Sequence, residues 1–384
     1  MFTFDYIIVG AGAAGLHLSM AMKRNGLLNK KKLLIIEPST KNSDDKTWCF
    51  WEKKSGLWDD FITKSWSKGE LRANKESIEF DLDKYNYKML RSIDFYKACK
   101  NQILEDENIE WVQEKVIDYR ETNKEVIVKT NTNSYNTELM FDSRVSPEFY
   151  KPNNSIHIHQ HFKGWYIKTE ENTFENELFT MMDFDIKDQH STSFTYVLPI
   201  NRKEALVEFT YFSPDIVSDE TYNCHLKKYL EHINVEDYQV VSEEKGVIPM
   251  SSFDFDNFRS KRIHKIGTAA GWVKASTGYA FKNCERKSEE IVNCLLNNKN
   301  LSGLKKPLKY KHYDKMFLDV LKSRNDFGEE LFYRMYKKNP IERIFRFLDE
   351  ESSFSEDFKI ILSLNSKPFH QAFIRHLKRG FKTN

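Results

Sequence analysis

At 384 residues the chain exceeds the size at which single cores stop growing, so two intertwined domains are expected. Its 59 basic and 57 acidic side chains nearly cancel to a formal charge of +2, which gives no field for holding nucleic acid. Five cysteines scattered without C-x-x-C spacing offer neither a disulfide framework nor a zinc site, and no run of about eighteen apolar residues is present to span a bilayer.

The first element, Phe4 to Val9, is strand-like, with no secretory signal before it, and the expected compartment is the cytoplasm. It runs into Gly10-Ala11-Gly12-Ala13-Ala14-Gly15, a helix-compatible stretch from Leu16 to Arg24, and the buried-strand run Leu33 to Ile36 that ends at Glu37. Gly10, Gly12 and Gly15 at this spacing permit a tight turn, close approach of a pyrophosphate to backbone N–H groups, and close helix packing. The helix start then offers its positive end to phosphate, and Glu37 stands where a carboxylate takes the ribose hydroxyls of an adenosine. A bound dinucleotide follows, FAD and NAD being indistinguishable at this point. The charge-dense window Lys23 to Lys32 reads as a solvated loop.

Asp45 to Trp51 is a dense aromatic cluster suited either to a core or to the wall of a ligand cavity. Tyr87 to Ile93 reads as a short strand and Ile93 to Leu104 as a helix, with Arg91 placed to meet a phosphate or to form a surface ion pair. Trp111 to Tyr119, Glu125 to Thr130 and Leu139 to Asp142 form a strand meander. His161 to Glu170, Phe179 to Ile186, Ser193 to Pro199 and Glu204 to Phe212 then predict an antiparallel sheet. In the last of these, Ala205, Val207, Phe209 and Tyr211 share one face, and Leu206, Glu208, Thr210 and Phe212 the other. Glu208 is therefore a carboxyl among apolar neighbours, or else an exposed polar position on a half-buried sheet.

Cys224 to Ile233 predicts a helix and Tyr238 to Ile248 a strand. Ile263 to Gly271, with Gly267, enters a second glycine-punctuated turn, and Gly278 opens the next helix. Such a second turn near the end of a nucleotide fold matches the way flavoproteins hold FAD. Thr268 after Gly267 departs from the Gly-Asp used by many flavoenzymes, although its hydroxyl can still donate. Tyr310 to Arg379 is mostly helical. His17, His157, His159 and His161 show no ligand spacing, so no metal is expected. The 29 phenylalanines and 18 tyrosines suit either an aromatic core or an apolar binding tunnel.

Taken in order, Gly10 to Gly15 with Glu37, Lys46-Thr47-Trp48-Cys49-Phe50, Phe141-Asp142-Ser143-Arg144, Gln160 to Trp165, Met181-Met182-Asp183-Phe184, Tyr196 to Pro199, Ala205 to Glu208, Gly246 to Met250, Gly271 to Phe281 and Ile344 to Leu348 resemble the FAD-dependent lycopene cyclases, in particular the bacterial lycopene β-cyclases. The resemblance runs nearly end to end. It implies a mixed α/β fold: a Rossmann-like FAD-binding domain of the flavin hydroxylase type, an inserted antiparallel-sheet substrate domain and a helical C-terminal region. The expected boundaries are 1–85 and 86–155 for the first FAD-binding parts, 156–250 for the substrate sheet, 251–300 for the returning FAD-binding part and 301–384 for the helices.

The same resemblance implies cyclisation of the ψ-ends of lycopene to β-ionone rings, assisted by reduced FAD with NAD(P)H as reductant, without net redox change. Glu208 matches the first glutamate of the family's paired-glutamate-threonine motif, regarded as the proton donor. Phe209 replaces the second, leaving one carboxylate on that strand. A shared-proton pair is therefore not expected, and desolvation by Leu206 and Phe212 is left to keep Glu208 protonated. Asp183, or the flavin itself, is the expected partner for the final proton. A hydrocarbon substrate implies docking on the cytoplasmic membrane, with Phe345, Phe347 and Phe369 as candidate contacts. The rivals are a flavin-dependent isoprenoid reductase or aromatic hydroxylase, and a carotenoid-binding carrier.

Overall fold

The computed structural model describes residues 2–151, 155–258 and 260–380. In chain order the first third runs β1 (Phe2–Val9), α1 (Ala13–Arg24), β2 (Leu33–Ile36), β3 (Thr47–Lys53), β4 (Lys64–Trp66), β5 (Lys68–Ala73), β6 (Glu76–Asp81), β7 (Tyr85–Arg91) and α2 (Ser92–Leu104). The middle comprises β8 (Ile109–Val112), β9 (Val116–Glu121), β10 (Val126–Thr130), β11 (Ser134–Asp142), β12 (His157–Thr169), β13 (Leu178–Asp183), β14 (Thr192–Pro199), β15 (Glu204–Ser213), α3 (Asp219–His232) and β16 (Tyr238–Ser251). The chain ends with β17 (Ile263–Lys265), α4 (Phe281–Leu296), α5 (Leu308–Ser323), α6 (Gly328–Lys338), α7 (Ile341–Leu348), α8 (Phe354–Ser363) and α9 (Lys367–Gly380).

The apolar runs of β1 and β2 lack polar alternation because helices cover them, and they pair in parallel at the centre of the first sheet, ordered β8-β2-β1-β11-β10-β9. Strand β11 is long enough to pair β10 with its first half and β17 with its last three residues. The glycine turn after β1 and the turn after β17 are thus brought to one end of the sheet. Within the N-terminal region the three strands β4, β5 and β6 lie in a stretch without long apolar runs.

The second sheet is ordered β16-β12-β15-β14-β13-β5-β6. It is antiparallel except where β5 runs parallel to β13. One face, with Trp165, Val207, Phe209 and Tyr211, is sealed by Tyr222, Leu226 and Leu230 of α3. The other face, with Leu206 and Phe212, meets Phe317, Leu318 and Phe332 of α5 and α6. Helix α3 begins at Asp219, earlier than its apolar spacing announces, because Ser218 caps a polar first turn by accepting the Thr221 N–H.

The C-terminal helices correct one expectation. Phe345 is 0% exposed and stacks on Trp51 with centroids 4.3 Å apart, while Phe347 and Phe369 pack against the same core. The apolar side chains that reach the surface are instead Phe354 (78% exposed), Phe358, Ile361 and Leu362 on α8, with Phe373 and Ile374 on α9. Among the described residues no helix is long and apolar enough to cross a membrane.

Candidate active site

The turn after β1 uses its three glycines differently. Gly10 has φ +96°, and a Cβ there would lie 2.2 Å from Ser143 Oγ. A Cβ on Gly15 would lie 1.9 Å from the Gly10 carbonyl oxygen, so α1 rests directly on the turn. At Gly12 a Cβ would meet nothing within 4 Å, because that position opens onto a cavity. Helix α1 starts there with no side-chain cap and no acidic residue in its first turn, leaving its positive end free for an anion. Glu37 braces the turn from β2: its carboxylate accepts the Ala11 N–H at 2.7 Å and the Ser39 N–H at 2.9 Å.

Gly267, at φ +62°, packs against the start of α1, where its Cβ would stand 2.9 Å from that of Ala14. Gly278, at φ +76°, leaves the space taken by Gln160. Gly12, Gly267 and Gly278 line the cavity, whereas Gly10, Gly15 and Glu37 frame it from behind. Arg91 is not on the cavity wall. It stands just before α2 in an ion pair with Asp44, Nη2 to Oδ2 2.6 Å, with its guanidinium 5.8 Å from the Tyr166 ring centre, and it is Asp44 that accepts the Ile93 N–H at the helix start.

The cavity measures about 440 Å³ and runs from Gly12 between the second sheet and the C-terminal helices, ending among Phe332, Met335 and Leu348. Alternation along β15 turns Leu206, Glu208, Thr210 and Phe212 into it. Glu208 is 7% exposed, and Thr210 Oγ1 donates to its Oε1 at 2.6 Å. Phe209 faces the other way, onto α3, where it stacks on His225.

The carboxyl partner of Glu208 comes from another strand. Gly164 on β12 sits beside Glu208 of β15 on one side and Glu244 of β16 on the other. Strands two apart are separated by about 9.5 Å, too far for side chains to meet across an intervening one. A Cβ at position 164 would lie 3.4 Å from Glu208 Cβ and 3.3 Å from Glu244 Cγ, so glycine leaves the gap through which the two carboxyls hydrogen-bond. Burial, then the charge of Glu244, raises the Glu208 carboxyl well above its usual range. Burial likewise raises Glu244.

Thr47 Oγ1 donates to Glu244 Oε2 at 2.6 Å and stands 2.6 Å from the Tyr166 hydroxyl. Having one proton, already given to Glu244, Thr47 must accept from Tyr166. This pair overturns the expectation that a shared proton was excluded by Phe209: position 209 was never on the cavity side.

Asp183 is not brought to Glu208. Fully buried at 0% exposure, its carboxylate accepts from Tyr229 of α3 at 3.0 Å and from the Asp185 N–H at 2.9 Å, with Arg72 3.7 Å away. It therefore lies on the α3 side of the sheet and off the cavity wall. Irregular pairing between Thr180 and Asp183 breaks the alternation of β13, so Met181 and Met182 both line the cavity and Asp183 turns behind them.

Opposite Glu208 on β14 is Tyr196, whose hydroxyl donates to Tyr87 at 2.7 Å. The Tyr87 and Tyr279 hydroxyls are 3.0 Å apart, and Tyr279 donates to Met181 Sδ at 3.4 Å. Burial raises all three phenols and the neighbouring Cys49 thiol, so all stay neutral. Among the described residues, the two lysines on the cavity wall, Lys41 and Lys46, are each ion-paired, with Glu37 at 3.9 Å and with Asp45 at 3.0 Å. Sequence reasoning missed Glu244, Gly164 and the three tyrosines. Their only signal is cross-strand register, which one sequence does not display.

Known structures place this architecture in a class. The fold is that of flavoproteins: a geranylgeranyl bacteriochlorophyll reductase-like protein from Thermoplasma acidophilum superposes with a TM-score of 0.64 at 12% identity, covering 97% of this chain and 98% of that one. A Klebsiella pneumoniae HpxO variant solved with FAD gives 0.62 at 12% identity, covering 91% and 98%. Within that class the assignment is specific, because the family model described as Lycopene cyclase protein matches residues 5–374 and the chain belongs to that family. Curated relatives include a chloroplastic neoxanthin synthase of Solanum lycopersicum, 23% identical, and a chromoplastic capsanthin/capsorubin synthase of Capsicum annuum, 24% identical. Both matches cover 72% of this chain and span only 57% of the relative's length.

Proposed function

We propose that this chain is a lycopene β-cyclase that converts the ψ-ends of lycopene into β-ionone rings by acid-base chemistry, with Glu208 as the proton donor. The observation that carries the reading is a buried carboxyl, raised by burial and by the charge of Glu244, in an aromatic cavity that reaches the glycine turn at Gly12. FAD fits that turn: Gly12 leaves room for a pyrophosphate, the uncapped start of α1 favours its charge, and Gly267 and Gly278 allow close approach. Reduced by NAD(P)H, the bound flavin would supply negative charge near a developing carbocation.

Glu208 gives its proton to C2 of a ψ-end, leaving a cation at C1. The C5=C6 bond attacks C1, closing the ring and moving the cation to C5, and loss of the C6 proton forms the ring double bond. Donation leaves both Glu208 and Glu244 ionised at contact distance, a state that like-charge repulsion opposes. The pair therefore takes a proton back, and the one leaving C6 closes the cycle without added hydrogen, oxygen or electrons. Aromatic side chains around the cavity stabilise the intervening cations, and Phe332, Met335 and Tyr336 of α6 with Leu348 of α7 give its far end an apolar lining.

The exposed apolar side chains of α8 and α9 are the proposed contact with the cytoplasmic membrane, from which a lipid-dissolved carotenoid is drawn. Expression in a lycopene-accumulating host tests the reading. A cyclised pigment of unchanged mass is expected, and its loss with Glu208→Gln. A product heavier by hydrogen or oxygen would establish the reductase or hydroxylase instead, and bound but unconverted lycopene the carrier.

A further inference from the structure

Glu208 alone does not account for the carboxyl chemistry of this cavity, because an acid that must be protonated at rest and protonated again after each turnover needs something to govern its proton. Among the described residues, the groups facing it are identifiable from every surrounding element. Thr210 lies on β15, Tyr196 on β14, Tyr166 on β12, Thr47 and Cys49 on β3, and Tyr279 lies before α4. All of these are neutral. The charged groups near Glu244 are Arg91 and Asp44, which neutralise each other at 2.6 Å. What remains is the carboxyl of Glu244, inserted through the gap at Gly164 and held from behind by Thr47.

We infer that Glu244 is a positioning residue, resting on the cyclase reading above: as the ionised member of the pair it accepts the hydrogen bond from Glu208 and so fixes the proton, and its delivery, on Glu208. Each carboxyl keeps one oxygen free for the bond between them, and burial sets its direction: Glu208 is buried and Glu244 only half-buried, so the charge is easier to leave on Glu244. Glu244 Oε2 is committed to the Thr47 hydroxyl, which is supplied in turn by Tyr166. Glu208 Oε1 is committed to Thr210, leaving its other oxygen to carry the proton toward Glu244. The family motif has its second carboxylate next to the acid on the same strand, at the position that alternation turns toward α3 and away from the cavity. Phe209 at that neighbouring position serves the α3 side instead.

The inference separates two consequences that a merely structural Glu244 would not produce. Removing its charge with Glu244→Gln keeps a side chain of the same shape but ends the repulsion that holds the proton on Glu208. The alkaline limit of cyclisation is then expected to move about one pH unit or more toward acid, whatever the change in maximal rate. Adding Phe209→Glu to that variant should not restore the limit, since the new carboxylate faces α3. An alkaline limit unchanged by Glu244→Gln overturns the inference while leaving the cyclase reading intact.

The second measurement needs no turnover. Infrared titration of the purified protein should show a protonated carboxylic acid that survives to neutral pH, and Glu208→Gln or Glu244→Gln should abolish its survival. A wild-type protein with no such band above the ordinary carboxylate range overturns the inference. Persistence of the band in a protein that converts no carotenoid would instead retain the pair and remove the cyclase reading.

Discussion

The two faces of strand β15 are built from alternate residues of one short sequence and behave as different materials. Toward α3, Ala205, Val207, Phe209 and Tyr211 pack into an interior with Trp165, Tyr222 and Leu226 that has no ionisable carboxyl on β15. Toward the cavity, Leu206 and Phe212 flank Glu208 and Thr210, a single polar step within an apolar wall. Side chains on both faces are buried. What distinguishes them is that only the cavity face has a gap, at Gly164, through which a second carboxyl can reach the first. Desolvation alone raises a carboxyl wherever it is placed, but only the partner gives its proton a defined position.

That contrast can be broken by substitution, the most drastic case first. Glu208→Gln should lower cyclisation by about 10²–10⁴-fold, the usual worth of a general acid, with little loss of fold because the amide still fits Thr210 and Glu244; pigment yield and thermal unfolding together check this. One residue along, Phe209→Glu should do the reverse. An unpaired carboxylate forced beneath α3 is expected to cost roughly 3–5 kcal/mol of stability, read from denaturant unfolding, and to contribute no acid.

A smaller effect is the pH dependence of stability. Both carboxyls hold protons more tightly folded than unfolded, Glu244 being pushed up to about 7 and Glu208 raised further in the same direction. Their contribution is therefore complete below the unfolded carboxyl range near about 4.3 and is lost as pH climbs through 7 and beyond. Melting temperature should fall between pH 5 and pH 8, and fall less in Glu208→Gln, as about 7 for Glu244 requires. Equal slopes in the two proteins would contradict the pair. Smallest of all, Thr210→Val removes a hydrogen bond that favours ionised Glu208, so the alkaline limit of activity should rise by a fraction of a pH unit, opposite in sign to Glu244→Gln.

Much of this was legible in one sequence. The spacing Gly10 to Gly15 located the turn between β1 and α1 because local sterics dictate it, and the alternation of β15 separated its two faces without any structure. Strands β5 and β6 were overlooked although Lys68 to Ala73 and Glu76 to Asp81 alternate, because their apolar residues are few and their partner, β13, lies more than a hundred positions away. Asp183 shows the limit of neighbour-based reasoning. It sits among apolar residues just as Glu208 does, yet one irregular pair on β13 shifts the phase and sends it to the opposite side. Glu244 carried no flag at all, since the adjacent Glu243 and Lys245 give its strand the look of a solvated edge. Its meaning arises only from what stands two strands away.

Gly164 has one more consequence, for quality control. Because β16 reaches Glu208 only by facing this glycine, a one-residue slip of β16 along β12 would present Glu243 or Lys245 at the gap in place of Glu244. A lysine there would pair with Glu208 as a fixed counter-ion and leave it ionised, so a misregistered molecule would be folded and yet, on the cyclase reading, silent. Catalytic competence in this protein is thus a report on strand alignment, more sensitive than any measure of overall compactness.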